Sequence, residues 1–146
     1  MLPDAISLNK AAIIERCLRR MHQEYKADPA LENYTHLDAL VLNIERACQA
    51  AIDLAMHVVS ESHLGVPQSS AEAFVLLREA DRLEANLAQR MTKMAGFRNI
   101  VVHQYQDLDT DVIHHIMQKG WEDFIAFCQA LGLKIKVIGI QETLKG

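Results

Sequence analysis

Apolar residues recur along this chain at intervals of three and four, the spacing that gathers them on one face of a helix. Ile13, Ile14, Cys17, Leu18, Met21 and Tyr25 trace the first such stripe, over about Ser7 to Lys26. Asp28-Pro29 reads as the start of a second helix, with Asp as N-cap and Pro at the first helical position. That helix is predicted to run to about Ser62, carrying Leu37, Leu40, Val41, Ile44, Cys48, Ala51, Ile52, Ala55 and Val59. Asn43, Asp53 and His57 lie near its stripe; Asp53 and His57, four apart, are spaced to satisfy each other on one face. Gly65 and Pro67 break the pattern, and Ser69 with Glu72 forms a capping box for a short third helix through Phe74, Leu76, Leu77 and Ala80. Leu83, Leu87, Met91 and Met94 predict a fourth after a bend near Asp81, with Gly96 as its stop. The stretch from Gly96 to Asp109 then reads as a short helix of its own or as the start of the last one. Asp109 is spaced to cap a final helix through Val112, Ile116, Trp121, Phe124, Ile125, Cys128 and Leu131, which Gly132 ends. After it, LKIKVIGI alternates basic and apolar residues, the pattern of a short strand or of an extended segment docked on a neighbour. Together these elements predict one all-α domain over residues 1–146, an antiparallel bundle of four or five helices. Residues 133–146 form a tail to which the sequence assigns no role.

Composition agrees. Half of the 146 residues are hydrophobic, enough for a real core, and aromatics are only 5%, which favours helices over a β-sandwich. The three cysteines, Cys17, Cys48 and Cys128, are odd in number and widely spaced, so buried thiols are expected rather than disulfides or a zinc site. No basic-then-apolar leader and no apolar run of about 18 residues appears, so the expected location is the cytoplasm. A net charge of −4 argues against a broad nonspecific nucleic-acid binder. Charge is uneven, however. Arg16, Arg19, Arg20 and Lys26 cluster on the first helix, and Arg90, Lys93 and Arg98 occur with no acid among them. These are either a local phosphate-attracting patch or solvated helix faces.

The densest chemistry lies in GFRNIVVHQYQDLD, Gly96 to Asp109. At about 100° per residue, Asn99 and His103 share one helix face, and Arg98 and Tyr105, two turns apart, share another. None of the seven histidines has Glu three residues before it, so the Glu-x-x-His pattern of di-iron bundles is absent. H-E-x-x-H, Gly-rich phosphate loops and G-x-S-x-G are absent too. No metal and no cofactor is implied. What remains is a histidine that can exchange protons near neutral pH and an arginine that can grip a phosphate. Such a set can cleave RNA without metal, because the ribose 2′-OH can act as nucleophile while His moves the proton. Arg98 and His103, five apart, diverge by about 140°. One copy therefore makes an incomplete site, and a two-fold dimer would bring two Arg and two His to one cleft. The competing reading is structural: Arg98 and Asn99 cap a turn and His103 satisfies a backbone group.

The segment R-N-I-V-V-H, Arg98 to His103, resembles the R-(polar)-x-x-x-H pattern of HEPN ribonucleases, and the continuation to H-Q-Y resembles the R-x4-H-x-Y form of HepT-type toxins. The flanking G-F and D-L-D, and the order of long helix, Gly/Pro loop, short helix and motif over roughly residues 7 to 131, are similar as well. The resemblance implies an all-α homodimer whose motif helices meet and form a metal-independent RNA-cleaving site. Arg98 and His103 would be catalytic, Asn99 would fill the supporting polar position, and Tyr105 would be modified with AMP by a cognate MNT-type nucleotidyltransferase antitoxin. AMP on Tyr105 would set bulk and phosphate charge against Arg98. Two other readings stay open: a non-catalytic HEPN-like subunit that binds nucleotide or substrate for a nucleotidyltransferase, and a bundle whose polar cluster only fixes dimer register.

Overall fold

The hydrophobic stripes become helices in the computed structural model, which describes residues 3–104 and 109–137, and for 102–104 the backbone alone. The helices are α1 (Ala5–Ala27), α2 (Tyr34–Glu61), α3 (Ser70–Glu79), α4 (Ala85–Gln104), α5 (Thr110–His115) and α6 (Glu122–Ala130). One π-helical turn, Ile116–Gly120, joins the last two. No strand occurs among the described residues, so the all-α prediction holds. None of these helices is long and apolar enough to cross a membrane.

α1 and α2 lie antiparallel, because each end of the pair is pinned. His57 Nε2 is 2.7 Å from Asp4 Oδ2 at one end, and His36 Nδ1 is 2.6 Å from Glu24 Oε2 at the other. The predicted Asp53–His57 pair therefore does not form. His57 takes Asp4, while Asp53 accepts from Gln49 Nε2 at 2.9 Å and lies 3.7 Å from Lys10 Nζ. A partner in the same helix loses here to carboxylates and cations brought in by α1. Asn43 is buried and donates to Ala39 O at 2.8 Å within its own helix.

Asp28-Pro29 does not start α2. Asp28 caps the end of α1, and its carboxylate accepts the Asn33 N–H at 2.8 Å. Leu31 turns inward at φ 55°, and Asn33 caps α2 by accepting from Thr35 N at 2.9 Å. The competing cap wins because burying Leu31 requires a turn that a helix begun at Pro29 would straighten. The other caps fall as predicted. Ser69 accepts from Glu72 N, Asp109 accepts from Asp111 N, and Asp81 makes the bend at φ 58°.

Gly96 is the largest departure. It sits inside α4 at ordinary helical φ, exposed, and a Cβ placed on it would meet nothing within 4 Å. A glycine ends a helix by taking positive φ; this one does not, so α4 continues to Gln104. Gly96→Ala should therefore stabilise the fold by about 0.5–1 kcal/mol, seen as a higher urea midpoint. A glycine in the left-handed region would give the opposite sign.

The final helix is broken rather than continuous. The Trp121 N–H reaches Ile116 O at 2.8 Å, five residues back, and the extra residue advances the buried face. Ile113, Ile116, Met117 and Gly120 are buried before the step, and Trp121, Phe124 and Cys128 after it. Val112, assigned to the core by its spacing, is 41% exposed. Past Gly132 (φ 80°) the chain is extended, with Leu133, Ile135 and Val137 buried. Lys136 is held at both backbone groups by α1: its carbonyl accepts from Arg19 at 3.0 Å and its N–H donates to Glu15. Of the two expectations for this tail, the docked segment describes residues 133–137; residues 138–146 lie outside the described part.

One buried contact makes stability depend on pH. His22 on α1 meets Trp121 edge to face, ring centroids 4.4 Å apart, and neither His22 Nε2 nor Trp121 Nε1 finds a hydrogen-bond partner among the described residues. Burial pushes the His22 imidazole down to about 4. The folded state thus holds the neutral ring, while the unfolded chain protonates near 6.5. Stability should be full above that value and fall as pH drops from 6.5 toward 4. Urea midpoints across this window should show the slope, and His22→Phe should flatten it.

Candidate active site

The continuity of α4 decides the geometry of the motif. Arg98, Asn99 and His103 lie on one regular helix, with Asn99 and His103 one turn apart. Two ties fix this helix. The Cys48 thiol donates to Met94 O at 3.3 Å, joining α2 to α4 one turn before Arg98. Arg90 Nε donates to Asp123 Oδ1 at 2.9 Å, joining α4 to α6. All three cysteines are buried and free, as the sequence predicts. Burial pushes the Cys48 thiol up, with Glu45 adding to the rise and the Arg98 charge opposing it. Arg98 is thus within electrostatic reach of α2.

Arg98 occupies an unusual position. Leu87, Met91, Met94 and Val101 form the buried stripe of α4, and Arg98, four after Met94 and three before Val101, fills the step where an apolar residue belongs. It is half-buried, and its Nε is fully shielded with no hydrogen-bond partner among the described residues. Its only described side-chain bond is a long one, Nη1 to Asn99 Oδ1 at 3.4 Å. A buried donor left unmatched costs roughly 1–3 kcal/mol. Among the described residues this guanidinium is poorly satisfied, which suits it to an incoming anion. Asn99 is exposed beside it, and so is Ile100, an apolar side chain 48% exposed.

The motif residues are therefore brought together in part. Arg98 and Asn99 touch, and His103 follows on the same helix at backbone level. Tyr105, and with it the expected Arg98–Tyr105 alignment, lies outside the described residues. The adjacent His114 and His115 point apart: His114 Nδ1 lies 2.9 Å from Tyr25 OH, and His115 is exposed. No group of three or more His, Cys, Asp or Glu among the described residues could hold a metal ion.

The basic residues separate. On α1, Arg19 is tied to the tail and Glu15, and Arg20 pairs with Glu24 at 3.3 Å, so that cluster is a solvated face. Arg90 and Lys93 instead line a groove of about 640 Å³ between α4 and the α5–π segment, joined there by His115 and Lys119. His115 and Lys119 are too far in sequence from the α4 cations for spacing to join them, although Val112, His115 and Lys119 share helical spacing with one another.

Residues 10–131 match the family described as Ribonuclease HepT-like. The chain belongs to the HepT-like ribonuclease family. Within it, this HepT-like chain is 39% identical over 127 residues to the mRNA nuclease HepT of Shewanella oneidensis, covering 86% of this chain and 96% of that one. It is 35% identical over 65 residues to the tRNA nuclease HepT of Aphanizomenon flos-aquae, 44% of each chain. The fold matches the tri-AMPylated HEPN toxin of Shewanella oneidensis, solved in complex with MNT antitoxin, with TM-score 0.84 and 37% identity, over 89% of this chain and 98% of that one. The resemblance read from Arg98 to Tyr105 is thus shared by nearly the whole helical domain.

Proposed function

We propose that this protein is the toxin of a HEPN/MNT toxin–antitoxin pair: a cytoplasmic, metal-independent endoribonuclease that acts as a homodimer. The observation that carries the reading is Arg98, placed in a core stripe with a buried Nε that has no partner among the described residues, and set on the same unbroken helix as Asn99 and His103. The relatives named above as nucleases, and the toxin solved with its antitoxin, support it.

In this mechanism the motif helices of two subunits face each other. One His103 takes the proton of a ribose 2′-OH, whose oxygen attacks the adjacent phosphorus. The P–O5′ bond breaks, and the second His103 gives its proton to the leaving oxygen. Arg98 holds the phosphate and offsets the charge that builds on it, while Asn99 orients the imidazole or a phosphate oxygen. A cognate MNT-type nucleotidyltransferase neutralises the toxin by adding AMP to Tyr105, which places phosphate charge on the side of the motif that grips RNA.

Purified protein should cleave RNA in the presence of EDTA. Coexpression with a cognate MNT-type nucleotidyltransferase should raise its intact mass in AMP-sized steps, and Tyr105→Phe should lose those steps. Nucleotide binding with no RNA cleavage at any pH would instead support the non-catalytic subunit, the reading that the net charge of −4 favours.

A further inference from the structure

The groove beside the motif helix has a composition that the acidic body does not lead one to expect. Its walls present Arg90 and Lys93 from α4 and Lys119 from the π turn, against Asp123 and Glu122 from α6. Among these residues the sum is three cations less two acids, or +1, in a protein of net charge −4. Asp123 is taken by Arg90 at 2.9 Å, so Lys93 and Lys119, both exposed, face one remaining carboxylate. The floor is apolar, made by Phe97 and Ile116, and Val112 forms an apolar lip. Cationic walls over an apolar floor match single-stranded nucleic acid, whose phosphates take the charge while its bases lie on the apolar surface. The volume, about 640 Å³, falls in the range of sites that hold small ligands, roughly 300–1,000 Å³.

Position agrees with chemistry. Arg90, Lys93 and Phe97 share one face of α4, while Arg98, next to Phe97 in the chain, is turned about 100° around the helix and lies beside this wall rather than in it. A strand whose scissile phosphate lies at Arg98 can continue along the same helix into the groove. The opposite wall depends on the π turn, which carries Ile116 and Lys119. Such turns recur at functional sites, where the extra residue re-aims side chains.

We infer that this groove is a second RNA subsite, in which Lys93 and Lys119 hold phosphates of the single-stranded substrate flanking the cut. The inference rests on the ribonuclease reading and extends it from the cleavage point to the strand beside it. The test is binding of a labelled single-stranded oligoribonucleotide to the His103→Ala protein, with and without Lys93→Ala plus Lys119→Ala, over a salt series. Losing two phosphate contacts on a single strand should lower the slope of log K against log salt by about 1.4 and weaken binding by about tenfold or more. Lys93→Arg plus Lys119→Arg should restore both. An unchanged slope and affinity in the double Ala variant, with RNA still bound, overturns the subsite and leaves the ribonuclease reading standing. So does loss of the nucleotidyltransferase partner with RNA affinity intact, which would assign the groove to that protein. If the wild type neither binds nor cleaves RNA, the ribonuclease reading itself falls and the subsite with it.

Discussion

His103→Ala should lower the rate of RNA cleavage by at least roughly 10²–10⁴, the range that one positioned acid–base group supplies. The helical circular dichroism should be unchanged. Because α4 is unbroken to Gln104, His103 lies one turn beyond Asn99 and about 140° from Arg98. A single copy turns the imidazole and the guanidinium to different sides of the helix, and in the proposed dimer two facing copies bring them to one phosphate. Each homodimeric variant then loses both imidazoles at once, proton acceptor and proton donor together. Full cleavage by His103→Ala would remove the proton-transfer step and leave the motif a structural role only.

The largest loss of stability is expected from Phe74→Ala. Phe74 is fully buried and meets Phe127 edge to face with centroids 5.6 Å apart. The pair joins α3 to α6, the helix that also holds α4 through Asp123. Removing such a ring costs about 3–5 kcal/mol through lost transfer energy and the cavity left behind. For a domain of this size the thermal midpoint should fall by about 10 °C or more. A shift of only a degree or two would mean that the core collapses around the gap.

Much of this architecture is legible in the sequence, because helical periodicity and side-chain caps are local. The stripes of α1 to α4, the Ser69–Glu72 box, the Asp109 cap and the Gly132 stop all follow from spacing alone. The failures have a common cause in contacts made across the fold. Asp28 has the chemistry of an N-cap but spends its carboxylate on Asn33. His57 finds Asp4 rather than its helical neighbour Asp53. Gly96 has the residue type of a stop, but tertiary packing on both sides holds it helical. The π turn left no trace, because Met117 lies four residues before Trp121 and keeps the apolar spacing that of a regular helix. At the site, spacing gives the identity and phase of Arg98, Asn99 and His103. Spacing does not reveal that Arg98 takes a core position with its Nε unmatched among the described residues, because that depends on which neighbours surround it. The Lys93–Lys119 groove needs two distant segments and is visible only once they pack.

The claim on which the rest depends is that two copies of α4 face each other across the motif. A nitroxide on Asn99→Cys tests it by pulsed dipolar spectroscopy, since position 99 is exposed and the native thiols are buried. Facing helices pack with axes about 8–10 Å apart, so with the label arms the spins should lie roughly 20 Å apart in a single narrow distribution. A separation beyond one domain diameter, about 30 Å, or no dipolar signal at all, would contradict a site built across the dimer.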